Sequence, residues 1–457
     1  MKRGLILIIA LGVLIILVLV GLYTLGGRKP ANVTAVKLEW WGVFDEASSY
    51  QSVLAAYKTQ HPYVTITYKK FRMEEYEDAL IQAWARGSGP DIYALPNSWL
   101  HRFEANGFIT PMPVSTRMAY YVRSKPLGIR EEIKVEYKTV PAITLTDISN
   151  QYVSVVKDDV YFKGKIHGLP QSMDSLALFY NKDLLNFALI TQPPITWEEF
   201  IDEVPKLTLL DATGKITQAG AALGTYTNIP RAFDIISVLM MQNGTTMATE
   251  AGKVLFHQTS GVGEAAYQPG GEALRFYTDF ASPTKQVYSW DATQSDALEA
   301  FIAGKVAFFF GYSYQRDIIS SRASRLNWSV STLPQVDSVK PTHYANYWVQ
   351  TVAKRSTHAN EAWNFIQFLS HPTVVTSYLQ SSGRTSALVA LINEDLQNRD
   401  PLINVFAQQA LTAKSWYRGK NPLAAEEAFG DMVTAILGGT LITDSIKDAS
   451  SKVEQTY

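Results

Sequence analysis

The chain has 457 residues, and its 41 Lys and Arg against 42 Asp and Glu give a formal net charge of −1. This balance provides no basic surface field for nucleic acid, and the length suits two lobes with separate cores better than one domain. Cysteine is absent, which excludes disulfides, thiolate metal sites and a cysteine nucleophile. The 10 Trp and 24 Tyr decide nothing alone, because aromatic side chains serve both cores and ligand sites.

The N-terminal segment 4–25 is an uncharged run dominated by Leu, Ile and Val. At about 1.5 Å per helical residue it covers the roughly 30 Å hydrocarbon core of a bilayer, whereas a cleavable signal usually has only about 7–15 apolar residues. We therefore predict an uncleaved transmembrane anchor followed by a polar linker to residue 35, with a cleaved signal as the alternative. Positive charges flank the segment on both sides, so they leave its orientation open.

Strands and helices alternate after this linker. Strand patterns cover 36–41, 64–68 and 91–95, and apolar residues at helical spacing cover 50–57 and 76–83. Such alternation indicates βαβ units, so we predict an α/β fold with a mostly parallel sheet flanked by helices. In open sheets of this type, ligands bind at the carboxyl ends of the strands. The residues that follow the first and third strands are therefore candidate ligand contacts.

A polar interruption divides the segment 163–185. A Gly turn leads to Pro170, polar residues follow at 171–175, and the apolar run 176–180 has the pattern of a buried strand. One carboxylate, Asp174, lies within the interruption. The pattern is typical of a chain that crosses a cleft from one lobe to another.

Two later motifs have local structural explanations. The sequence Thr-Trp-Glu-Glu at 196–199 predicts a capping box, so its two glutamates are assigned to the helix start rather than to acid–base catalysis. Residues 301–310 predict a helix end, a Gly turn and a buried strand, and Tyr312 and Tyr314 follow at the carboxyl end of that strand.

Five blocks occur in an order and spacing that are specific together, although each alone is weak. They are Gly-Ser-Gly-Pro-Asp-Ile at 87–92 with Phe-Ile-Thr-Pro-Met at 108–112, the crossover at 163–185, Thr-Trp-Glu-Glu-Phe at 196–200, Phe-Ile-Ala-Gly-Lys-Val-Ala at 301–307, and the helix at 359–369. On these residues the chain resembles family 1 of the bacterial extracellular solute-binding proteins, the maltose-binding-type receptors of ABC importers. The resemblance runs from about residue 36 to the C-terminus.

The resemblance implies a two-lobed periplasmic-binding-protein-like fold of type II. It implies a first lobe of residues 36–172 and 331–380 and a second lobe of residues 173–330 and 381–457, with the segment 1–35 as anchor and linker. The chain would bind a solute in the cleft, close by a hinge motion and deliver the solute to an ABC permease. We expect a monomer at the cell membrane, with its large domain extracytoplasmic and with no cofactor or metal.

A carbohydrate is the expected solute, because a neutral sugar needs aromatic plates and groups that bond its hydroxyls. The candidates follow from the strand ends and from family positions that often contact the ligand; the acidic position in the crossover is one of these. The predicted ligand-binding residues are Trp41, Asp45, Asn97, Ser98, Trp99, Asp174, Tyr226, Tyr312, Tyr314, Trp348 and Trp416.

These candidates have structural alternatives. Core packing is the alternative for Trp41, helix capping for Asn97 or Ser98, and a salt bridge across the hinge for Asp174. Only one of the adjacent Tyr347 and Trp348 can face the cleft, because side chains alternate along a strand. For Tyr312 and Tyr314 the alternative is packing against the opposite lobe. For Trp416 the alternative is a position in a solvent-exposed loop.

Enzymatic motifs are missing from the sequence. It has no His-Glu-x-x-His metal motif, no Gly-x-Ser-x-Gly elbow and no Gly-x4-Gly-Lys-Ser/Thr phosphate loop. We therefore predict a binding protein and not an enzyme. Alternatives are a receptor for another solute, a sensor or adhesion module on the same fold, and a secreted glycoside hydrolase, whose two carboxylates no sequence can exclude.

Overall fold

The computed structural model describes residues 33–125, 132–261, 267–398 and 400–457, with positions 4, 11–16 and 18 near the N-terminus. The predicted alternation of strands and helices after the linker is confirmed. The strands are β1 (Val36–Gly42), β2 (Val64–Lys70), β3 (Ile92–Pro96), β4 (Ile109–Thr110), β5 (Ser115–Ser124), β6 (Glu132–Pro141), β7 (Tyr161–Phe162), β8 (Lys165–Ile166), β9 (Ser172–Met173), β10 (Ala177–Asn181), β11 (Leu209–Leu210), β12 (Ile216–Ala221), β13 (Val306–Gly311), β14 (Trp328–Ser331), β15 (His343–Tyr344), β16 (Trp348–Ala353), β17 (Thr385–Ser386) and β18 (Ala413–Lys414).

Side chains cap the starts of several helices. Thr196 and Glu199 form the predicted capping box, and Asn181 and Asp296 accept from the first N–H groups of their helices. The helices after residue 33 are α1 (Gln51–Gln60), α2 (Met73–Ala85), α3 (Leu100–Ala105), α4 (Leu145–Gln151), α5 (Ser154–Val160), α6 (Lys182–Phe187), α7 (Trp197–Leu207), α8 (Ala232–Gln242), α9 (Pro269–Asp279), α10 (Ala297–Ile302), α11 (Gln315–Arg322), α12 (Ala359–Leu369), α13 (Pro372–Ser382), α14 (Val389–Asn398), α15 (Pro401–Ala410), α16 (Pro422–Leu437) and α17 (Ile442–Glu454).

Two five-stranded sheets form the centres of two lobes. The first sheet has the order β2-β1-β3-β16-β4, and the second has the order β11-β12-β13-β10-β14. In the first, β1 pairs in parallel with β2 and β3, whereas β16 runs antiparallel to β3 and β4. In the second, only the β12–β13 pair is parallel.

The expectation of a mostly parallel sheet in each lobe is therefore wrong. The antiparallel strands β10 and β16 each follow a crossover between the lobes. Ala177, at the start of β10, pairs with Gly311 at the end of β13, and Trp348, at the start of β16, pairs with Pro96 at the end of β3. A strand that enters from the cleft must run away from it, whereas β1, β3 and β13 run towards it.

Each sheet lies in its own hydrophobic core. The first core contains buried residues from 36–173, 345–392 and 407–413. The second contains buried residues from 176–333 and 406–453, together with Tyr344. Residues 173–176 and 344–345 therefore mark places where the chain passes from one core to the other.

A membrane span is not found among the residues that the structure describes, since none of their helices has the length and hydropathy for one. The predicted anchor at 4–25 lies largely outside the described residues. It stays a prediction.

Candidate functional site

A pocket lies where the two cores meet. The first lobe contributes residues after β3, the second contributes the start of α8, the segment that follows β18 and the start of α16, and the crossover at 344–346 forms part of the wall. The lining residues are Asn97, Ser98, Arg231, Phe233, Asp234, Tyr344, Ala345, Asn346, Ser415, Tyr417, Pro422 and Glu426. Asn97 and Ser98 are the predicted ligand contacts among them.

Asp234 is the most buried charged group of this pocket, with 2% of its surface exposed. Its Oδ2 accepts from Tyr312 Oη at 2.6 Å, from Arg231 Nε at 2.8 Å and from Asn346 Nδ2 at 3.4 Å. Among the described residues, none donates a hydrogen bond to Oδ1. One oxygen of Asp234 is thus saturated, while the other keeps its acceptor capacity on a pocket wall.

Two further charges lie around this carboxylate. Burial, the largest single influence, lowers the pKa of Arg231, but Asp234, Tyr312, Glu426 and Tyr314 together outweigh it, so this pKa is raised above its usual value. Burial also raises the pKa of Glu426, although Arg231 lowers it. The pocket therefore combines a fixed cation, a buried carboxylate and a second carboxyl group, which together can donate to and accept from hydroxyls.

An aromatic cluster spans the junction beside the pocket. Phe44, which follows β1, stacks on Tyr314 of the second lobe with ring centroids 5.2 Å apart and an interplanar angle of 27°. Trp348 meets the same Phe44 ring edge-on at 5.3 Å. All three side chains are half-buried. The structure thus brings together the predicted Tyr314 and Trp348, around a phenylalanine that the sequence reasoning missed.

Asp174 has its carboxylate bonded within the protein. Ser313, just after β13, donates its backbone N–H at 3.1 Å to each oxygen and its hydroxyl to Oδ2 at 2.7 Å, and Ser175 N–H donates to Oδ1 at 2.9 Å. Burial raises the pKa of Asp174 to about 6, although the Ser313 hydrogen bonds lower it. These contacts tie the crossover to the end of β13 by hydrogen bonds, and the charge of Arg384 also lowers the pKa of Asp174.

Asp45 and Trp41 also have internal partners. The Asp45 carboxylate accepts from Tyr50 Oη at 2.8 Å, Tyr378 Oη at 2.9 Å and Arg384 Nε at 2.9 Å. Trp41 is 6% exposed, belongs to the first core, and packs against the Phe71 ring with centroids 4.4 Å apart and an interplanar angle of 40°. Neither residue lines the pocket.

Asn97 belongs to a second buried carboxylate cluster, centred on Asp159. Asp159 Oδ2 accepts from Asn97 Nδ2 and from Tyr347 Oη, both at 2.9 Å. Its Oδ1 accepts from Ser415 Oγ at 2.5 Å and from Arg418 Nη2 at 3.0 Å. Both oxygens are therefore saturated, and the first-lobe carboxylate is bonded to the segment that leads into α16.

Of the remaining predicted contacts, Tyr226, Tyr312 and Trp416 lie in or near the second core, and Trp99 packs against the first. Trp416 is 5% exposed and donates from Nε1 to Ser237 Oγ at 2.9 Å. Tyr226 donates its hydroxyl hydrogen bond to the Glu426 carbonyl. Tyr312 is not a lining residue of the pocket, but its hydroxyl donates to Asp234, which is one. Trp99 stacks on the Phe103 ring at 5.8 Å, beside the pocket-lining Ser98.

Sequence reasoning missed Asp234, Glu426, Asn346 and Phe44. A signal existed for the first of these, because Arg231 and Asp234 stand three apart at the start of a helix that follows Pro230. Metal binding has no support in the described ranges, where no group of three or more His, Asp or Glu side chains is placed to hold an ion.

Comparisons with known proteins agree with this architecture. A maltotriose-binding protein of Pyrococcus abyssi (strain GE5 / Orsay) is 20% identical over 372 residues, which cover 80% of this chain and 69% of that protein. The cyclic alpha-maltosyl-1,6-maltose binding protein from Arthrobacter globiformis superposes with a TM-score of 0.71 at 18% identity, covering 92% of this chain and 99% of the other. An ABC transporter solute binding protein from Thermotoga lettingae TMO, bound with alpha-D-tagatose, gives a TM-score of 0.68 at 20% identity, covering 92% and 100%.

The sequence profile of one family covers most of the chain. It matches residues 52–404, from α1 in the first lobe to α15 at the junction, and so includes both sheets except β1. The proteins of this family bind solutes and do not transform them. The chain belongs to the bacterial extracellular solute-binding proteins.

Proposed function

We propose that this protein is the carbohydrate receptor of an ABC importer, which binds a mono- or oligosaccharide between its lobes and delivers it to the permease. The observation that supports the proposal most directly is Oδ1 of Asp234, to which none of the described residues donates, beside Arg231 on the wall of a pocket between the two cores. Sugar hydroxyls are both donors and acceptors, so a carboxylate and a guanidinium at one place can bond neighbouring hydroxyls. The named sugar ligands of similar proteins support the same solute class.

The aromatic cluster supplies the second element of such a site. Phe44 and Tyr314 come from opposite lobes and lie face to face. Movement of the lobes would separate these rings and offer each face to the apolar side of a sugar ring. Of the other predicted contacts, Trp348 touches this cluster and Ser98 lines the pocket, which supports both as ligand neighbours.

The cellular location, membrane anchor and oligomeric state of the receptor are also part of the proposal. The family is extracellular, so the two lobes belong outside the cytoplasm, and we propose that residues 4–25 anchor them as a single-pass helix and that the receptor is monomeric. The predicted lobe boundaries at 172/173, 330/331 and 380/381 remain predictions. Core contacts support the first and favour later positions for the other two, near residue 344 and between residues 392 and 416.

Thermal-shift screening of the full chain against mono- and oligosaccharides, including maltotriose and α-D-tagatose, tests the proposed function. We expect stabilisation by at least one sugar, because a ligand that binds only the folded state raises the melting temperature. Stabilisation by a different solute class, with none by any sugar, would contradict the carbohydrate proposal.

Asp234→Asn tests the site itself. The amide keeps the shape but loses the charge and one acceptor, so we expect sugar affinity to fall about tenfold or more by calorimetry. Asp202→Asn, an exposed carboxylate on α7, is the matched control and should bind as the parent does. Equal affinities in both variants would remove Asp234 from the site.

A further inference from the structure

The charges that line the pocket between the two cores do not balance. The described lining residues include two carboxylates, Asp234 and Glu426, and Arg231 is the only basic residue among them. Arg231 donates to Oδ2 of Asp234 from Nε at 2.8 Å and also from Nη2. These bonds pair Arg231 with Asp234, so the pocket wall provides no counter-charge that belongs to Glu426 alone.

Glu426 lies near the start of α16 and is half-buried. Its backbone carbonyl accepts from the Tyr226 hydroxyl, which fixes this turn of the helix. Among the described residues, none donates a hydrogen bond to its side-chain oxygens. Burial raises the pKa of Glu426 above its usual value; Arg231 lowers it, and Asp234 raises it again. The protein therefore compensates the carboxylate form of Glu426 incompletely.

Several donors on the pocket wall are already bonded within the protein. Asn97 Nδ2 donates to Asp159 at 2.9 Å, and the Ser415 hydroxyl donates to the same carboxylate at 2.5 Å. The hydroxyl of Tyr417 also donates inside the second lobe, at 2.8 Å. These lining residues do not supply the hydrogen bonds that Glu426 lacks, whereas a ligand group can.

A protonated amine matches such a carboxylate better than a hydroxyl does. An ammonium group carries one positive charge and three donors, whereas a hydroxyl carries one donor and no charge. Hydrogen bonds in which a partner is ionised are roughly twice as strong as those between neutral groups. A carboxylate that has already left water also needs a cation to offset its desolvation. One ligand cation would balance the excess carboxylate of the pocket.

The apolar part of the wall suits the ring that would carry this amine. Phe233 and Tyr344 line the same pocket and are 8% and 5% exposed. Aromatic rings pack on apolar faces and attract cations through their electron-rich faces. The pocket thus combines a surface for a sugar ring with a place for one positive charge.

We propose that the solute is an amino sugar whose protonated amine pairs with Glu426, while its hydroxyls bond Arg231 and Oδ1 of Asp234. The inference rests on the proposed function and deepens it, because it names the class of sugar. A neutral sugar of the same shape would give Glu426 a single hydroxyl donor and no counter-charge. The receptor therefore discriminates by charge between sugars that differ in one substituent.

Recognition by charge confines the preference to a range of pH. The titratable groups around Glu426 are two charged side chains and three phenols: Arg231, Asp234, Tyr226, Tyr344 and Tyr417. Burial raises the pKa of each phenol, so all three stay neutral at pH 7. An amine beside oxygen-bearing carbons resembles an α-amino group, which loses its proton near about pH 8. The preference is therefore present at pH 7 and is lost when the amine becomes neutral.

Calorimetry with the full chain at pH 7 compares sugars that differ at one substituent. D-Glucosamine is paired with D-glucose, D-galactosamine with D-galactose, and chitosan oligosaccharides with cello-oligosaccharides; the N-acetylated forms serve as uncharged controls. We expect the amino member of at least one pair to bind about tenfold or more tightly than its hydroxyl and N-acetyl counterparts. Equal or weaker binding of every amino sugar, beside a neutral sugar that binds, would overturn this inference and leave the proposed function standing. Absence of binding by any sugar, amino or neutral, would overturn both.

Glu426→Gln keeps the size of the side chain and removes its charge, so we expect the preference for the amine to disappear while the neutral counterpart binds as before. Glu427→Gln, the exposed neighbour on the same helix, removes an equal charge outside the pocket and should keep the preference. An unchanged preference in Glu426→Gln would contradict the pairing with Glu426. The parent protein at about pH 9.5 gives a test that needs no variant, because the amine is then neutral. A preference that persists there would contradict recognition by charge.

Discussion

Asp159 and Asp234 are carboxylates of the two lobes with the same kinds of partner. Each is almost fully buried, at 3% and 2% exposure, and each accepts from a tyrosine hydroxyl, an asparagine amide and an arginine. They differ in how their hydrogen-bond donors are distributed over the two carboxylate oxygens. Both oxygens of Asp159 are bonded, by four donors, whereas the described donors to Asp234 all reach Oδ2.

We propose that this difference separates a structural carboxylate, Asp159, from a ligand-binding one, Asp234. A buried charge with every acceptor position used can only stabilise the fold, because a ligand would have to displace an existing partner. A buried charge with one oxygen unused on a pocket wall is already desolvated and oriented by its neighbours, so a ligand hydroxyl can bond it at little further cost. Burial and residue type alone would not tell the two apart.

The largest expected effect is on stability, from Asp159→Ala. The substitution leaves the buried Asn97 and Tyr347 and the half-buried Arg418 without this acceptor, so we expect the free energy of unfolding to fall by about 3–5 kcal/mol in urea denaturation. Asp158→Ala is the control: its side chain is exposed, and the carbonyl that accepts from Arg418 remains. Equal losses in both variants would show that Asp159 is not a stabilising centre.

The fold was predictable where the signals are local. Alternating patterns predicted β1 to β3, and Thr196 with Glu199 predicted a helix start, because each depends on residues a few positions apart. The direction of β10 and β16 was not predictable in this way, because it depends on how the chain crosses between the lobes.

The candidate site could not be predicted from local sequence patterns, because its residues lie far apart in the chain. Asp234 meets Tyr312 and Asn346, which lie 78 and 112 residues further along the chain, so no local pattern contains their contact. Asn97 was predicted at the correct strand end, and it does line the pocket. Its amide nevertheless donates to Asp159, a partner 62 residues away that the sequence did not single out.

A matched pair of substitutions sharpens the comparison. Tyr312→Phe and Tyr347→Phe each remove one phenol donor, the first from Asp234 and the second from Asp159. We expect each to lower the free energy of unfolding by about 1.5–3 kcal/mol, as for hydrogen bonds to charged groups. Only Tyr312→Phe should also weaken sugar binding, measured by calorimetry. Weaker binding in both variants would mean that the Asp159 cluster contributes to the site through lobe closure.

The smallest expected effect concerns pH. Burial, with a smaller contribution from Arg418, lowers the pKa of His101 to about 4, although Asp159 acts in the opposite direction. From its ordinary value of 6.5 down to about 4, the unfolded chain takes up a proton that the folded chain does not. The stabilisation from a neutral His101 is therefore complete above pH 6.5 and is lost as the pH falls through this window.

His101→Phe should reduce this acid destabilisation, because phenylalanine keeps the ring stacked on Phe162, at 3.9 Å in the parent, and does not titrate. The reduction is partial, since burial also lowers the pKa values of His167 and His343 to about 4. Melting temperatures at pH 6.5 and pH 4 measure it, with the exposed His371→Phe as the control. Because His101 neighbours the Asp159 cluster, its loss should change the pH slope of stability and leave sugar affinity at pH 6.5 unchanged. A lower sugar affinity in His101→Phe would show that the two carboxylate clusters are coupled. It would contradict the assignment of stability to the Asp159 cluster and of ligand binding to Asp234.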